Sequence, residues 1–431
     1  MKYPIDKYKS QAETTFNTLL ELFKHGTNGW QVGNVFDTLT DYVVRFPEPS
    51  PGAVVEAAHE RWWQVGGMCW YDDYGWWGIA SAKAFDDKYK DIFGSNRKEF
   101  QQIATDCWDI MHTGKPDTYN PPYKYKGGPM VWENRDEGNQ PGYFTAPDTW
   151  AVPRFSGGVW QYDMFKDERT NPLDCAPQSS NPSDPNGCVL GPFQNTVMNG
   201  LYFVLALRIA LQDKGRGTYE AAETERGFLN AWFSLEGDES LLWHNSNDTV
   251  LVRERVATYA YCEEKKSYPR VQGYGLTGPK AAWCGDQGLI LGGLLDYLSL
   301  RGQAFVLPSD PTAESRAISI ARGVLSTSDM VDALGVMPHS PDFDVHGDAD
   351  DYSCGSGVFW RYLLRGFGQN AALRTEILNL VAKDPEHNAI YISAEKAFTP
   401  REPPNQNKLF VNFNILATLL AAIEILKEAD G

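Results

Sequence analysis

Trp283-Cys284-Gly285-Asp286-Gln287-Gly288-Leu289-Ile290-Leu291-Gly292-Gly293 opens a segment, 284–302, that is apolar at helical spacing. Small residues at a helix start suit close packing against neighbouring helices near an axis. Working outward, the same spacing recurs in eleven further segments. Residues 6–25 place Tyr8, Ala12, Phe16, Leu19, Leu20 and Phe23 on one face. The others are 31–46, 52–66, 73–90, 96–112, 192–214, 218–235, 312–327, 354–369, 371–383 and 410–428. Ser50-Pro51 ahead of the third reads as a cap followed by proline at the first helical position. Strand patterns are short, at Leu241–His244 and Asn388–Ile392. Two long stretches, 113–191 and 236–283, interrupt the helices, and loops of that length in a compact domain are usually functional. The pattern predicts an all-α chain of helical hairpins closed into a toroid, with elaborated loops on one side. An open helical solenoid would give the same periodicity.

The 431 residues are 42% hydrophobic, which makes the chain globular. The longest apolar run, Leu201–Leu211, is broken by Arg208 and reads as a buried helix rather than a bilayer span. A net charge of −17 argues against nucleic acid and anionic membrane surfaces as partners. A neutral ligand remains compatible. The 14 Trp and 21 Tyr supply aromatic planes for the apolar faces of sugar rings and polar tips for their hydroxyls, although many such residues simply fill cores. Seven Cys with no CxxC pair do not form a disulfide framework. Cys175 and Cys188 flank a Pro/Ser/Asn-rich loop and are candidates for a local bridge. No signal peptide is visible, so the chain reads as cytoplasmic or as a mature chain with an added Met. One N-x-T sequon lies at Asn247.

The densest motif is Trp70-Tyr71-Asp72-Asp73-Tyr74-Gly75-Trp76-Trp77-Gly78-Ile79-Ala80. Two adjacent acids stand at a helix start among aromatics. The free N–H groups and dipole of a helix N-terminus favour an ionised carboxylate. A neighbouring acid in apolar surroundings beside that charge tends to keep its proton. Together they offer an acid/base and a nucleophile, at the roughly 5 Å separation of retaining glycosidases. An ordinary helix cap with a second, solvated acid fits the same residues.

This string resembles the signature of glycoside hydrolase family 76, the endo-α-1,6-mannanases and their fungal cell-wall relatives. Three further segments resemble the family in order. They are Gln194-Asn195-Thr196-Val197-Met198-Asn199-Gly200-Leu201, the Trp283–Gly293 segment, and Asp351 with Gly357-Val358-Phe359-Trp360-Arg361-Tyr362-Leu363. The resemblance implies one catalytic (α/α)6 domain over residues 1–431, with long loop insertions at 113–191 and 236–283. It further implies that Asp72 is the nucleophile and Asp73 the general acid/base of a retaining hydrolase of α-linked polysaccharide, α-1,6-mannan first. A secreted or cell-surface location follows from the same resemblance, with the cytoplasm left open. Two departures, Ser356 in place of the family's usual Lys and Asp286 near its usual Asn, put the sugar and the mode of cleavage in doubt.

Candidate substrate-binding residues are Trp76, Trp77, Asn195, Asn199, Asp286, Gln287 and Asp351. Asn195, Asn199, Asp286 and Gln287 serve equally well to tie helix ends together, and one of the two tryptophans is expected in the core. Trp132, Tyr143 and Trp150 are loop aromatics that either stack on sugar or pin the loop. The acidic run Asp342–Asp351 lacks the terminal Glu and helix pair of a calcium loop, and seven His without zinc spacing give no zinc motif. No metal and no cofactor are therefore expected, and the chain is expected to be monomeric. Other readings are a transglycosylase or another α-glycosidase, a non-catalytic carbohydrate-binding toroid, and a sugar epimerase, for which histidines are few.

Overall fold

The structure, a computed structural model, describes residues 2–26, 29–47, 51–64, 71–113, 188–190, 195–212, 217–234, 240–246, 249–254, 260–262, 282–301, 311–326, 330, 354–399 and 408–431. Twelve long helices dominate them: α1 (Ile5–Lys24), α2 (Gly29–Val43), α3 (Pro51–Gln64), α4 (Tyr71–Ala82), α5 (Arg97–Thr113), α6 (Thr196–Ala210), α7 (Thr218–Phe233), α8 (Cys284–Arg301), α9 (Pro311–Ser326), α10 (Gly355–Gln369), α11 (Ala371–Lys383) and α12 (Lys408–Ala429). All twelve segments expected from periodicity are present.

The even-numbered helices form an inner ring. α2 packs on α4, α4 on α6, α6 on α8, α8 on α10, α10 on α12, and α12 returns to α2. The odd-numbered helices lie outside them, each against an inner partner. This closure decides between toroid and solenoid. Its seam is fastened where the chain ends meet: the Tyr3 amide donates to Asp430 at 2.9 Å, and the Tyr3 hydroxyl donates to the Pro385 carbonyl at 3.1 Å.

The inner helices explain their own composition. An inner helix has neighbours on every side, so α4, α6, α8 and α12 are apolar nearly all round rather than striped, whereas α2 and α10 bury charged residues on one face. All fifteen residues of α6 are buried. α12 is longer than the Leu201–Leu211 run and apolar enough to match a bilayer span by length and composition. Its eighteen-residue window reaches a mean hydropathy of 2.0, but 78% of that window is buried inside the ring. Glycines let the inner backbones meet. A Cβ on Gly75 would lie 2.8 Å from the Leu201 Cβ, one on Gly200 2.9 Å from the Leu289 Cβ, and one on Gly288 2.8 Å from the Phe359 Cα. Each contact joins the second turns of two successive inner helices. α4, α6, α8 and α10 are therefore parallel and level, and their N-termini share one end of the ring.

The opposite end carries a buried ion network. Asp37 of α2 pairs with Lys83, just past α4, and with Arg361 of α10 at 2.9 Å. Lys83 also pairs with Asp41 at 2.9 Å. Asp296 of α8 receives Arg208 of α6 at 3.4 Å and Arg365 of α10 at 2.8 Å. Burial would raise the Asp37 pKa, but the Arg361 and Lys83 charges outweigh it and hold it below the ordinary carboxylate value. Asp41 is depressed in the same way against its burial, by Lys83 and Arg45.

Lys83 also explains a boundary that the sequence misplaces. The segment 73–90 reads as one helix, yet α4 ends at Ala82 and the chain continues through two 3-10 turns and a short helix, Lys90–Phe93. The Lys83 ammonium turns inward to the Asp37 carbonyl and to the Thr40 hydroxyl at 3.0 Å. Asn388–Ile392 is likewise not a strand. The Asn388 side chain accepts from the Tyr391 amide at 2.9 Å and caps a helix, Ala389–Glu395. Two small antiparallel pairs complete the description: β1 (Cys188–Leu190) with β4 (Ala260–Cys262), and the hairpin of β2 (Leu242–Ser246) and β3 (Thr249–Val252). The first pair links the two long inserted segments. Its register sets Cys262 opposite Cys188, whereas Cys175, the expected partner, lies outside the described residues.

Candidate active site

Asp72 and Asp73 occupy the first turn of α4 and are half-buried. The aromatics that follow fix that turn. Tyr74 and Trp77 are fully buried and Trp76 is 3% exposed. The Trp77 indole N–H donates to the Gly29 carbonyl at 2.6 Å, and its ring packs edge-on against Trp62 at 5.3 Å. Trp77 is thus a core residue that ties α4 to the start of α2. Burial of Trp76 makes the core heavier in tryptophan than the one-in, one-out arrangement expected. The two acids differ by about 100° around the helix, so they face different surroundings on one turn.

The other candidates stand at the same end of the ring. Asn195 is the N-cap of α6, its side chain accepting from the Met198 amide at 2.8 Å, and Asn199 donates back to the Asn195 carbonyl at 2.7 Å. Both are buried. Asp286 lies in the first turn of α8 and is fully buried. Burial, with the Asp286 charge second, pushes the Cys284 thiol up to about 12. Gln287 is also fully buried, and both its N–H groups are taken by main-chain carbonyls, Val252 at 2.6 Å and Trp283 at 2.9 Å. A carboxamide has two N–H donors, so Gln287 has none to offer a sugar hydroxyl, which corrects its reading as a ligand contact. Asp351, Trp132, Tyr143, Trp150, Asn247 and the rest of the 342–351 run lie outside the described residues. Among the described residues no group of three or more His, Cys, Asp or Glu is placed to hold a metal ion.

The strand pattern read at Leu241–His244 is β2, but sequence reasoning missed its partner β3 and the place of the hairpin at this end. The chain leaving β3 seats on α6: Thr196 donates its amide to the Glu254 carbonyl at 2.7 Å and its hydroxyl to the Arg253 carbonyl at 2.6 Å. Arg253 and Glu254 are 4% and 2% exposed. The signal was present as a run of strand-favouring residues, Thr249-Val250-Leu251-Val252, closing on two charges. It stood inside a stretch read as loop.

No family model matches this sequence, and no curated protein matches it. Solved structures do match, and they share this ring of paired helices. The GH76A α-1,6-mannanase from Salegentibacter sp. HEL1_6 aligns over 96% of this chain and 99% of its own, at 13% identity and a TM-score of 0.55. Dfg5 from Chaetomium thermophilum, solved in complex with glucosamine, aligns over 98% and 93% at 14% identity and a TM-score of 0.57. The Lin0763 protein from Listeria innocua aligns over 99% of both chains at 12% identity and a TM-score of 0.52. At such identities the likeness establishes a shared fold.

Proposed function

We propose that this chain is a retaining glycoside hydrolase of family 76 type, acting on an α-linked polysaccharide, with α-1,6-mannan as the first substrate to test. The observation that carries the reading is the placement of Asp72-Asp73 in the first turn of an inner helix, at the end of the ring where α6, α8 and α10 also begin. Three of the four family-like segments thus fall on the N-terminal turns of inner helices, and the fourth continues from that end of α10. A variant of the Salegentibacter α-1,6-mannanase described as inactive has two adjacent aspartates replaced by asparagine and is in complex with α-1,6-mannotriose. An adjacent pair of acids on the same fold supports the same use here.

In this reading Asp72, favoured as an anion by the α4 N-terminus, attacks the anomeric carbon while Asp73 protonates the departing oxygen. Asp73 then takes a proton from the water that releases the sugar. Sequence neighbours on one turn do not easily open to the ~6.5–9.5 Å gap through which water attacks directly, so the first product keeps the α-configuration. A panel of α-glycans with product analysis tests the substrate, and proton NMR of the first anomeric signals tests the mechanism. An initial β-product would remove Asp72 from the nucleophile role.

A further inference from the structure

The bonds around Val252 are unusual for the end of a small hairpin. Its amide donates to Gln287 Oε1 at 2.7 Å, and its carbonyl accepts from Gln287 Nε2 at 2.6 Å. The buried carboxamide takes the place of a third strand, satisfying two main-chain groups that would be costly to bury unpaired. Around it the hairpin is held on several sides. Leu241 donates its amide to the Trp232 carbonyl of α7 at 3.0 Å, and Arg253 donates through Nη1 to the Ser240 carbonyl at 2.8 Å. Two residues beyond Val252 the chain lies on Thr196, beside the Asn195 cap of α6. Gln287 itself follows Asp286 directly.

We propose that Gln287 is a positioning residue. By gripping both main-chain groups of Val252 it fixes the 240–254 segment between α6 and α8, and so sets the Asn195 cap and the Asp286 turn relative to each other as one wall of the glycan site. This rests on the glycoside hydrolase reading above. Because the acid pair stands on a different helix, α4, loss of the grip falls on substrate binding and on which product lengths form, more than on the chemical step.

Two variants separate a grip from mere filling of space. Gln287→Met keeps the bulk and removes every hydrogen bond. Gln287→Glu keeps the shape, and its protonated carboxyl still offers one O–H donor and one acceptor to Val252, whereas the carboxylate offers acceptors only. We expect Gln287→Met to raise KM by about tenfold, the scale of one lost buried hydrogen bond, with kcat near wild type and an altered spread of product lengths. Gln287→Glu should match wild type at acid pH and lose affinity as the pH rises, a profile absent from Gln287→Met. In hydrogen exchange, the Val252 amide should exchange faster in Gln287→Met. A folded Gln287→Met with unchanged KM and products, from a wild type that cleaves mannan, overturns this inference and leaves the function standing. A wild type inactive on every glycan overturns the function. Exchange at Val252 then decides the grip: unchanged protection overturns it.

Discussion

At one end of the inner ring Asp37 lies between Lys83 and Arg361, and Asp296 between Arg208 and Arg365. At the other, Asp72 and Asp73 stand in the first turn of α4 and Asp286 in the first turn of α8. The parallel helices explain the asymmetry. Their C-terminal ends present carbonyl oxygens and attract cations, which in turn hold acids in place. Arg208 reaches the carbonyl of Ile79, in the last turn of α4, at 3.0 Å. Their N-terminal ends present N–H groups that favour an anion. One end thereby ties five of the six inner helices together, α2, α4, α6, α8 and α10. The other carries two half-buried acids, Asp72 and Asp73, and the fully buried Asp286.

Exchanging the roles of these two ends should produce opposite signatures. The largest effect is expected at the acid pair. Asp72→Ala and Asp73→Ala should each cut turnover by at least about 10²–10⁴-fold, the scale of a lost acid/base group. The helical circular dichroism and the thermal midpoint should stay as in wild type. Near-wild-type activity in either variant would move the chemistry elsewhere. At the closed end the sign reverses. Arg361→Met leaves Asp37 buried with one partner fewer, and removal of one member of a buried pair costs about 3–5 kcal/mol. Urea unfolding should show that loss. A variant as stable as wild type would mean that the network is not holding the ring.

Acid sharpens the same contrast. Asp37 and Asp41 have folded pKa values below the ordinary carboxylate value. Their contribution to stability is therefore complete above the unfolded pKa, near 3.9, and is lost as pH falls further through the folded values. Stability measured by urea titration should fall below about pH 4, and less steeply in Asp37→Asn. The smallest effect concerns Cys284. Burial holds its thiol at about 12, so iodoacetamide at pH 8 should label it only after unfolding. Rapid labelling of the folded chain would place the start of α8 nearer to solvent than the structure does.

The sequence carried the helices because most inner segments are apolar on nearly all sides and each outer one on a single face. It carried the acid pair because two adjacent aspartates among tryptophans at a helix start are locally distinctive. It misjudged residues whose role depends on a distant partner. Lys83 reads as the continuation of a helix until Asp37, 46 positions earlier in the chain, draws it inward. Gln287 reads as a ligand contact until Val252, 35 positions away, claims its carboxamide. Trp76 and Trp77 read as a pair with one member in the core, yet both are buried.

What the sequence determined by itself was therefore the set of elements and the chemistry concentrated on one of them. Both depend on neighbours a few positions apart, through helical periodicity, caps and the dipole of a first turn. Closure of the ring, the common level of the inner N-termini and the division of buried acids between structure and site were decided only in three dimensions. Periodicity gives the face of each helix but not which helix meets it. The contact of α12 with α2 joins the two ends of the chain, and no local pattern contains it.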